Sequence, residues 1–206
     1  MVAFRLRALA AALSGSSNRH LALSATVYRF GVTLSDVDRG VYETLELRLA
    51  RHPSESLRYF LSRTLAYCLS YEEGIAFSKG GLSDSDEPPV SIHDPTGILL
   101  AWIDVGSPSA ERLHRASKAA RRVALFTATD LVWLEREAAS RKIHALQDIA
   151  VYLLEPAFLD AIEPHLEKNL NLELVRNDGK LYVTLPKALV EGSIKEVRLG
   201  TKVNPA

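Results

Sequence analysis

Three acidic positions stand where a carboxylate could do chemistry. Asp104 lies near the end of Ile98-Leu99-Leu100-Ala101-Trp102-Ile103-Asp104-Val105-Gly106, a run that reads as a strand buried on both faces. A buried carboxylate without a partner carries a large desolvation penalty, so Asp104 must meet a metal ion, an arginine or water. Asp86 and its neighbour Glu87 sit in a polar loop over residues 79–89 that also holds Gly80, Gly81 and Asp84. Glu55 belongs to His52-Pro53-Ser54-Glu55, which reads as a helix start. Two carboxylates brought together by adjacent strands repel each other, and a divalent cation relieves that repulsion. Mg²⁺ takes oxygen ligands, commonly one or two carboxylates with water and phosphate. It can position a water and stabilise charge on a phosphodiester. The other reading is structural: Asp104 pairs with Arg112 or Arg115, and Asp86 and Glu87 cap a loop.

Basic residues cluster nearby. Residues 108–122 read as a helix carrying Arg112, His114, Arg115, Lys118, Arg121 and Arg122. At helical spacing Arg115, Lys118 and Arg122 share one face, which could hold a phosphate backbone. Glu111 is mixed in, as on an ordinary solvated face. Other chemistries find little support. His20, His52, His93, His114, His144 and His165 show no close metal-ligand spacing. Cys68 is the only cysteine, so it forms no internal disulfide and cannot alone anchor a thiolate zinc site. Ser14-Gly15-Ser16-Ser17 lacks the lysine and preceding strand of a phosphate loop, and no Gly-x-Ser-x-Gly elbow is present.

The elements that must position these groups follow from periodicity. Residues 25–33 read as a strand, residues 35–40 as a turn, and residues 41–50 as a strand with Leu45, Leu47 and Leu49 on one face. That is a hairpin with one wet face. A helix opens at Pro53 or with Ser54 as its cap and runs to about Tyr71, with Leu57, Phe60, Leu61, Thr64, Leu65 and Cys68 as its buried stripe. By helical angle Glu55 points away from that stripe, toward a role as an N-terminal dipole partner. Short strands are expected at 74–77, 98–106, 123–127 and 149–154, and helices at 108–122, 130–141 and 156–168. Residues 170–185 form a hairpin turning at Asn177-Asp178-Gly179. Strands alternating with helices predict an α/β domain with a mixed β-sheet flanked by helices and additional β-hairpins.

The whole-chain properties are ordinary. The chain has 206 residues, 47% hydrophobic and 24% charged, with 25 basic and 25 acidic side chains. Any nucleic-acid contact must come from a local patch. The longest fully apolar runs are strand-sized, so no membrane span is expected. The lone cysteine points to a reducing compartment, and the expected location is cytoplasmic. Residues 1–35 contain no Asp or Glu. Residues 1–20 are expected to be a disordered extension, 21–198 a single domain, and 199–206 a tail.

Several separate strings resemble one bacterial family. Leu47-Arg48-Leu49-Ala50-Arg51-His52-Pro53-Ser54-Glu55, Asp86-Glu87-Pro88, Trp102-Ile103-Asp104-Val105-Gly106, Pro108 with Arg112, and Val123-Ala124-Leu125-Phe126-Thr127 together look like the YaeQ family. That resemblance implies a fold similar to the PD-(D/E)XK nuclease core, a restriction-endonuclease-like αβββαβ arrangement. It implies a metal site at Asp86 and Asp104, with Glu55 as an additional acid and Mg²⁺, or Mn²⁺ in its place, as the ion. Asp94, just before Pro95, is a rival for the first acid. Two departures stand out. Asp104 is one methylene shorter than the family's usual Glu, and Gly106 occupies the place of the motif lysine. Arg112 is the candidate substitute, able to orient phosphate but poor at proton transfer. The expected function is a Mg²⁺-dependent nuclease or phosphodiesterase with a departed site, acting on DNA or RNA. The alternative is a non-catalytic nucleic-acid- or protein-binding module, in a regulatory role linked to transcription.

Overall fold

The computed structural model of the chain describes residues 25–78 and 86–200. The expected extension at 1–20, the loop residues Gly80, Gly81 and Asp84, and residues 201–206 of the tail lie outside the described residues.

β1 (Thr26–Asp36) and β2 (Val41–Arg51) form the expected antiparallel hairpin. Leu45, Leu47 and Leu49 are buried while Thr44, Glu46 and Arg48 face solvent, as a period of two requires. The helix that follows, α1 (Leu57–Leu69), starts later than Pro53 or Ser54 suggests. Ser56 is its cap, its hydroxyl accepting from Tyr59 N at 3.1 Å. Residues 52–55 form a separate turn, in which Glu55 N donates to His52 O at 2.9 Å.

Next come β3 (Ile75–Phe77), β4 (Val90–His93), β5 (Leu99–Val105), α2 (Ala110–Ala119) and β6 (Arg122–Thr127). β4 was not expected from its four residues. α2 is shorter than expected because Ala120 is already extended. Arg122 therefore opens β6 and does not share a helix face with Arg115 and Lys118. The rest of the chain is α3 (Leu131–Ala139), β7 (Ala150–Leu154), α4 (Pro156–Ile162), β8 (Asn169–Asn177), β9 (Lys180–Leu185) and β10 (Ala188–Arg198). α4 stops well before residue 168, since Pro164 has no N–H to extend the ladder. β10, another strand the pattern did not reveal, joins the middle of the sheet.

Among the described residues the ten strands form one sheet in the order β2-β1-β8-β9-β10-β7-β6-β5-β4-β3. Most neighbours are antiparallel; β1 with β8, β5 with β6, and β6 with β7 are parallel. The sheet is nearly barrel-shaped. Its inner side wraps α1 and α4 in a core that includes Phe30, Phe60, Ile103 and Phe158. Burying each such side chain contributes about 1.5–3 kcal/mol. Gly192 of β10 lets α4 approach, because a Cβ there would meet the Phe158 ring at 2.5 Å. On the outer side α2 and α3 cover the parallel strands through Trp102, Leu113, Leu125, Leu134 and Val151. Among the described residues no helix is long and apolar enough to cross a membrane.

Candidate functional site

β5 sets the geometry through its alternation. Ala101, Ile103 and Val105 enter the inner core, while Trp102 packs on the α2 side. Asp104, two residues on from Trp102, shares that outer face and is 2% exposed. Its Oδ2 accepts from Trp102 Nε1 at 3.2 Å and from Arg112 Nε at 2.6 Å. Its Oδ1 accepts from Val105 N at 3.1 Å. The Arg112 guanidinium lies over the Trp102 ring, 5.4 Å from its centroid, and donates to Glu87 O at 2.9 Å.

Arg115, one turn further along α2, forms an ion pair with Asp86, whose side chain is exposed. The register explains this proximity. Val90 pairs with Ile103, so the segment entering β4 passes the β5 end that carries Asp104. Two arginines on one helix thus reach the two segments that hold the predicted acids. As arranged, these acids do not fit a divalent cation held between them. Both Asp104 oxygens already accept from N–H groups, and an arginine stands at each acid. Among the described residues no group of three or more His, Cys, Asp and Glu side chains is placed to hold a metal ion.

Position 106 explains the missing lysine physically. Gly106 has φ +82°, and a Cβ there would come within 3.4 Å of the Tyr59 ring. That is ordinary contact, so it is the left-handed backbone that would strain a side chain here. Burial pushes the Tyr59 phenol up to about 12, and the charges of Asp104, Arg63, Arg112 and Glu55 all reach it. Tyr59 therefore stands between two ion pairs. The helical pattern of residues 57–68 does not single out Tyr59.

Glu55 belongs to the second pair. It is 2% exposed, not turned to solvent as the helical angle suggested, because it precedes the helix. Oε1 accepts from Arg63 Nε at 3.0 Å, and Oε2 from Arg63 Nη2 at 3.1 Å and His52 N at 3.2 Å. Arg63 also lies over the rings of Phe60 and Phe77. The sequence pattern does not single out Arg63, which lies outside the centre of the apolar stripe.

Asp94 lies at the far end of the β4–β5 hairpin. Its Oδ1 accepts from Thr96 Oγ1 at 2.7 Å, Thr96 N at 2.8 Å and Ile98 N at 2.9 Å. Those bonds, the Thr96 hydroxyl's foremost, hold its carboxyl below the usual range. It is a turn cap. Lys118 lines a shallow groove with Glu111, His114, Arg115 and Arg141. His114 Nδ1 accepts from His144 N at 3.2 Å, and partial burial with the Lys118 and Arg141 cations holds the imidazole below its ordinary value. Arg122 pairs with Glu72 on a different part of the surface.

Comparison with known proteins places the chain. The YaeQ protein family model matches residues 21–193. The uncharacterised YaeQ protein of Escherichia coli K12 is 31% identical over 176 residues, covering 83% of this chain and 94% of that protein. The Salmonella typhi YaeQ protein is 31% identical over 169 residues, 80% of this chain and 91% of that one. The crystal structure of YaeQ protein from Pseudomonas syringae aligns with a TM-score of 0.76 at 30% identity, covering 84% of this chain and 96% of that one. YaeQ protein from Xanthomonas axonopodis pv. citri aligns at 0.77 and 26% identity, covering 85% and 99%. From Leu47 on the buried face of β2 to the short buried strand that ends at Thr127, the strings that resemble the family lie within that match, and the chain belongs to the YaeQ family.

Proposed function

We propose that the chain is a non-catalytic nucleic-acid-binding module built on a nuclease-like core. The observation that carries this reading is the buried Asp104–Arg112 pair, in which the acid positions a cation instead of waiting for one. The succession α1-β3-β4-β5-α2-β6, with the two helices on opposite faces of the sheet, supports a relation to the αβββαβ core of PD-(D/E)XK nucleases. The left-handed backbone at Gly106 argues against proton transfer by a lysine there. Phosphate contacts would come from the α2 groove, where Arg115 and Lys118 lie beside Arg141.

The test is fluorescence anisotropy with labelled single- and double-stranded DNA and RNA, in EDTA at low salt. Saturable binding that weakens steeply with salt, and further in Lys118→Ala, is expected. Absence of binding to every oligonucleotide would sink the proposal.

A second reading is a Mg²⁺- or Mn²⁺-dependent phosphodiesterase using Asp86, Asp104 and Glu55, with Arg112 replacing the motif lysine. It is favoured by one observation: Arg115 at the Asp86 side chain, and Arg112 at the Glu87 carbonyl and the Asp104 side chain, draw the two acid-bearing segments to one stretch of α2. Calorimetry of Mg²⁺ and Mn²⁺ with the wild type, Asp86→Ala and Asp104→Ala separates the two. Heat of binding in the wild type that is lost in either variant would favour the enzyme.

A further inference from the structure

The inner side of the sheet holds a cavity of about 290 Å³ at the end of the parallel strands opposite Asp104. Its floor follows from small residues in register. Ile103 of β5 lies beside Ala124 of β6, and Ala124 beside Ala150 of β7, with Ala101 one step along β5. Protein cores are close-packed, so larger side chains would ordinarily fill such a space; three alanines leave it open. Tyr152, stacked on Phe126 with ring centroids 4.7 Å apart, supplies an aromatic wall.

The rim is cationic. Arg39, Arg121, Arg122 and Arg198 surround it, against the carboxylates of Glu72 and Asp148. Most of these guanidiniums have structural duties. Arg39 donates to Leu69 O at 2.7 Å and Tyr71 O at 3.0 Å, holding the end of α1. Arg122 pairs with Glu72, and Arg198 donates to Asp148 O at 2.9 Å and Glu196 at 2.7 Å. Arg121 is exposed and makes no hydrogen bond or ion pair among the described residues.

We propose that this cavity binds a small amphiphilic anion. Its apolar body rests on Ala101, Ala124 and Tyr152, and its carboxylate or phosphate meets Arg121 at the rim. A wholly apolar ligand would leave the exposed Arg121 guanidinium without a counter-charge. A polyanion would be opposed by Glu72 and Asp148. Arginine's planar fork suits both headgroups. The volume lies near the lower end of ligand pockets, roughly 300–1,000 Å³. This site is separate from the α2 groove, so it stands or falls independently of oligonucleotide binding.

The experiment is a fluorescence titration of the full chain with anilinonaphthalene sulfonate, an amphiphilic anion, followed by displacement with octanoate, phenyl phosphate and octanol. Saturable one-to-one binding is expected, displaced by octanoate or phenyl phosphate and not by octanol. Which of the two displaces better identifies the headgroup. Arg121→Glu, at a solvent-facing position, is expected to weaken binding at least about tenfold. Ala124→Leu should abolish it by filling the floor, without lowering the melting temperature. Lys118→Ala should leave it unchanged. Unsaturable binding, displacement by octanol as effective as by octanoate, or Arg121→Glu binding as the wild type does would each overturn the proposal. Should Ala124→Leu fail to fold, Arg121→Glu alone decides.

Discussion

Arg112 donates through Nε to Asp104 Oδ2 at 2.6 Å, so a helix residue neutralises a strand carboxylate that solvent does not reach. Removing one partner of a buried pair leaves the other uncompensated, at a cost of about 3–5 kcal/mol. Trp102 and Val105 still donate to Asp104, which places the expected loss for Arg112→Ala near the lower end, about 3 kcal/mol. Urea denaturation of the variant measures it. Adding Asp104→Asn to Arg112→Ala is expected to recover part of the loss, since the stranded charge is then gone. An Arg112→Ala protein as stable as the wild type would contradict the pairing.

Restoring the motif lysine is expected to harm the fold without creating an enzyme. Gly106 stands at φ +82°, so Gly106→Lys carries backbone strain of about 1–2 kcal/mol. Gly106→Ala should show most of the same loss, because the strain belongs to the Cβ. Thermal melts of both variants, with Mg²⁺-dependent cleavage of a plasmid as the activity readout, check this. A lysine variant of undiminished stability that cleaves DNA would show that position 106 is open.

How far the sequence could be read depended on how local the determining signal was. The alternation of Leu45, Leu47 and Leu49 and the Asn177-Asp178-Gly179 turn are self-contained, and both hairpins formed where they were expected. The start of α1 was misread because Pro53, Ser54 and Ser56 all offer start signals within four residues. The structure uses Ser56, and Glu55 folds back in a turn of its own. β4 is four residues between loop segments, and β10 carries Gly192-Ser193 at its centre, so neither shows a strong pattern. The parallel pairing of Leu34 with Leu174 joins distant segments and leaves no local trace. At the candidate site, Asp104 was recognisable as a buried acid in need of a partner, and Arg112 was among the arginines considered. Tyr59 and Arg63 were not recognisable, because their positions depend on how α1 meets β5.

The Glu55–Arg63 pair distinguishes a buried role from a surface one. Both side chains are nearly solvent-free, at 1% and 7% exposure. A helix-dipole partner on the surface contributes about 0.3–1 kcal/mol. A buried bidentate pair that loses its carboxylate is expected to cost about 3–5 kcal/mol. Glu55→Ala should therefore lower the urea midpoint far more than Glu46→Ala, a change of the same type at an exposed position of β2. Equal effects would assign Glu55 to the surface role.

Two aspartates in one turn should titrate in opposite directions. Asp36 is fully buried, and desolvation raises its carboxyl above 3.8 despite Arg176 and Arg39 at 3.8 and 3.7 Å. Asp38 accepts from Gly179 N and Asp178 N, and from Arg176, and these bonds hold it below the usual range. The folded state thus favours the protonated form of Asp36. Its contribution is fully present below the unfolded value and is lost as pH rises through the raised folded one. Asp38 behaves in reverse: its contribution is present above the unfolded value and lost as pH falls through the lowered one. Urea denaturation across about pH 2.5–6 reads both effects. The stability of the wild type minus that of Asp36→Asn should fall as pH rises, and the wild type minus Asp38→Asn should rise. A rising slope for both would mean that the Asp36 carboxyl is not governed by its burial, and that Arg39 and Arg176 outweigh desolvation at the junction of the β1–β2 and β8–β9 turns.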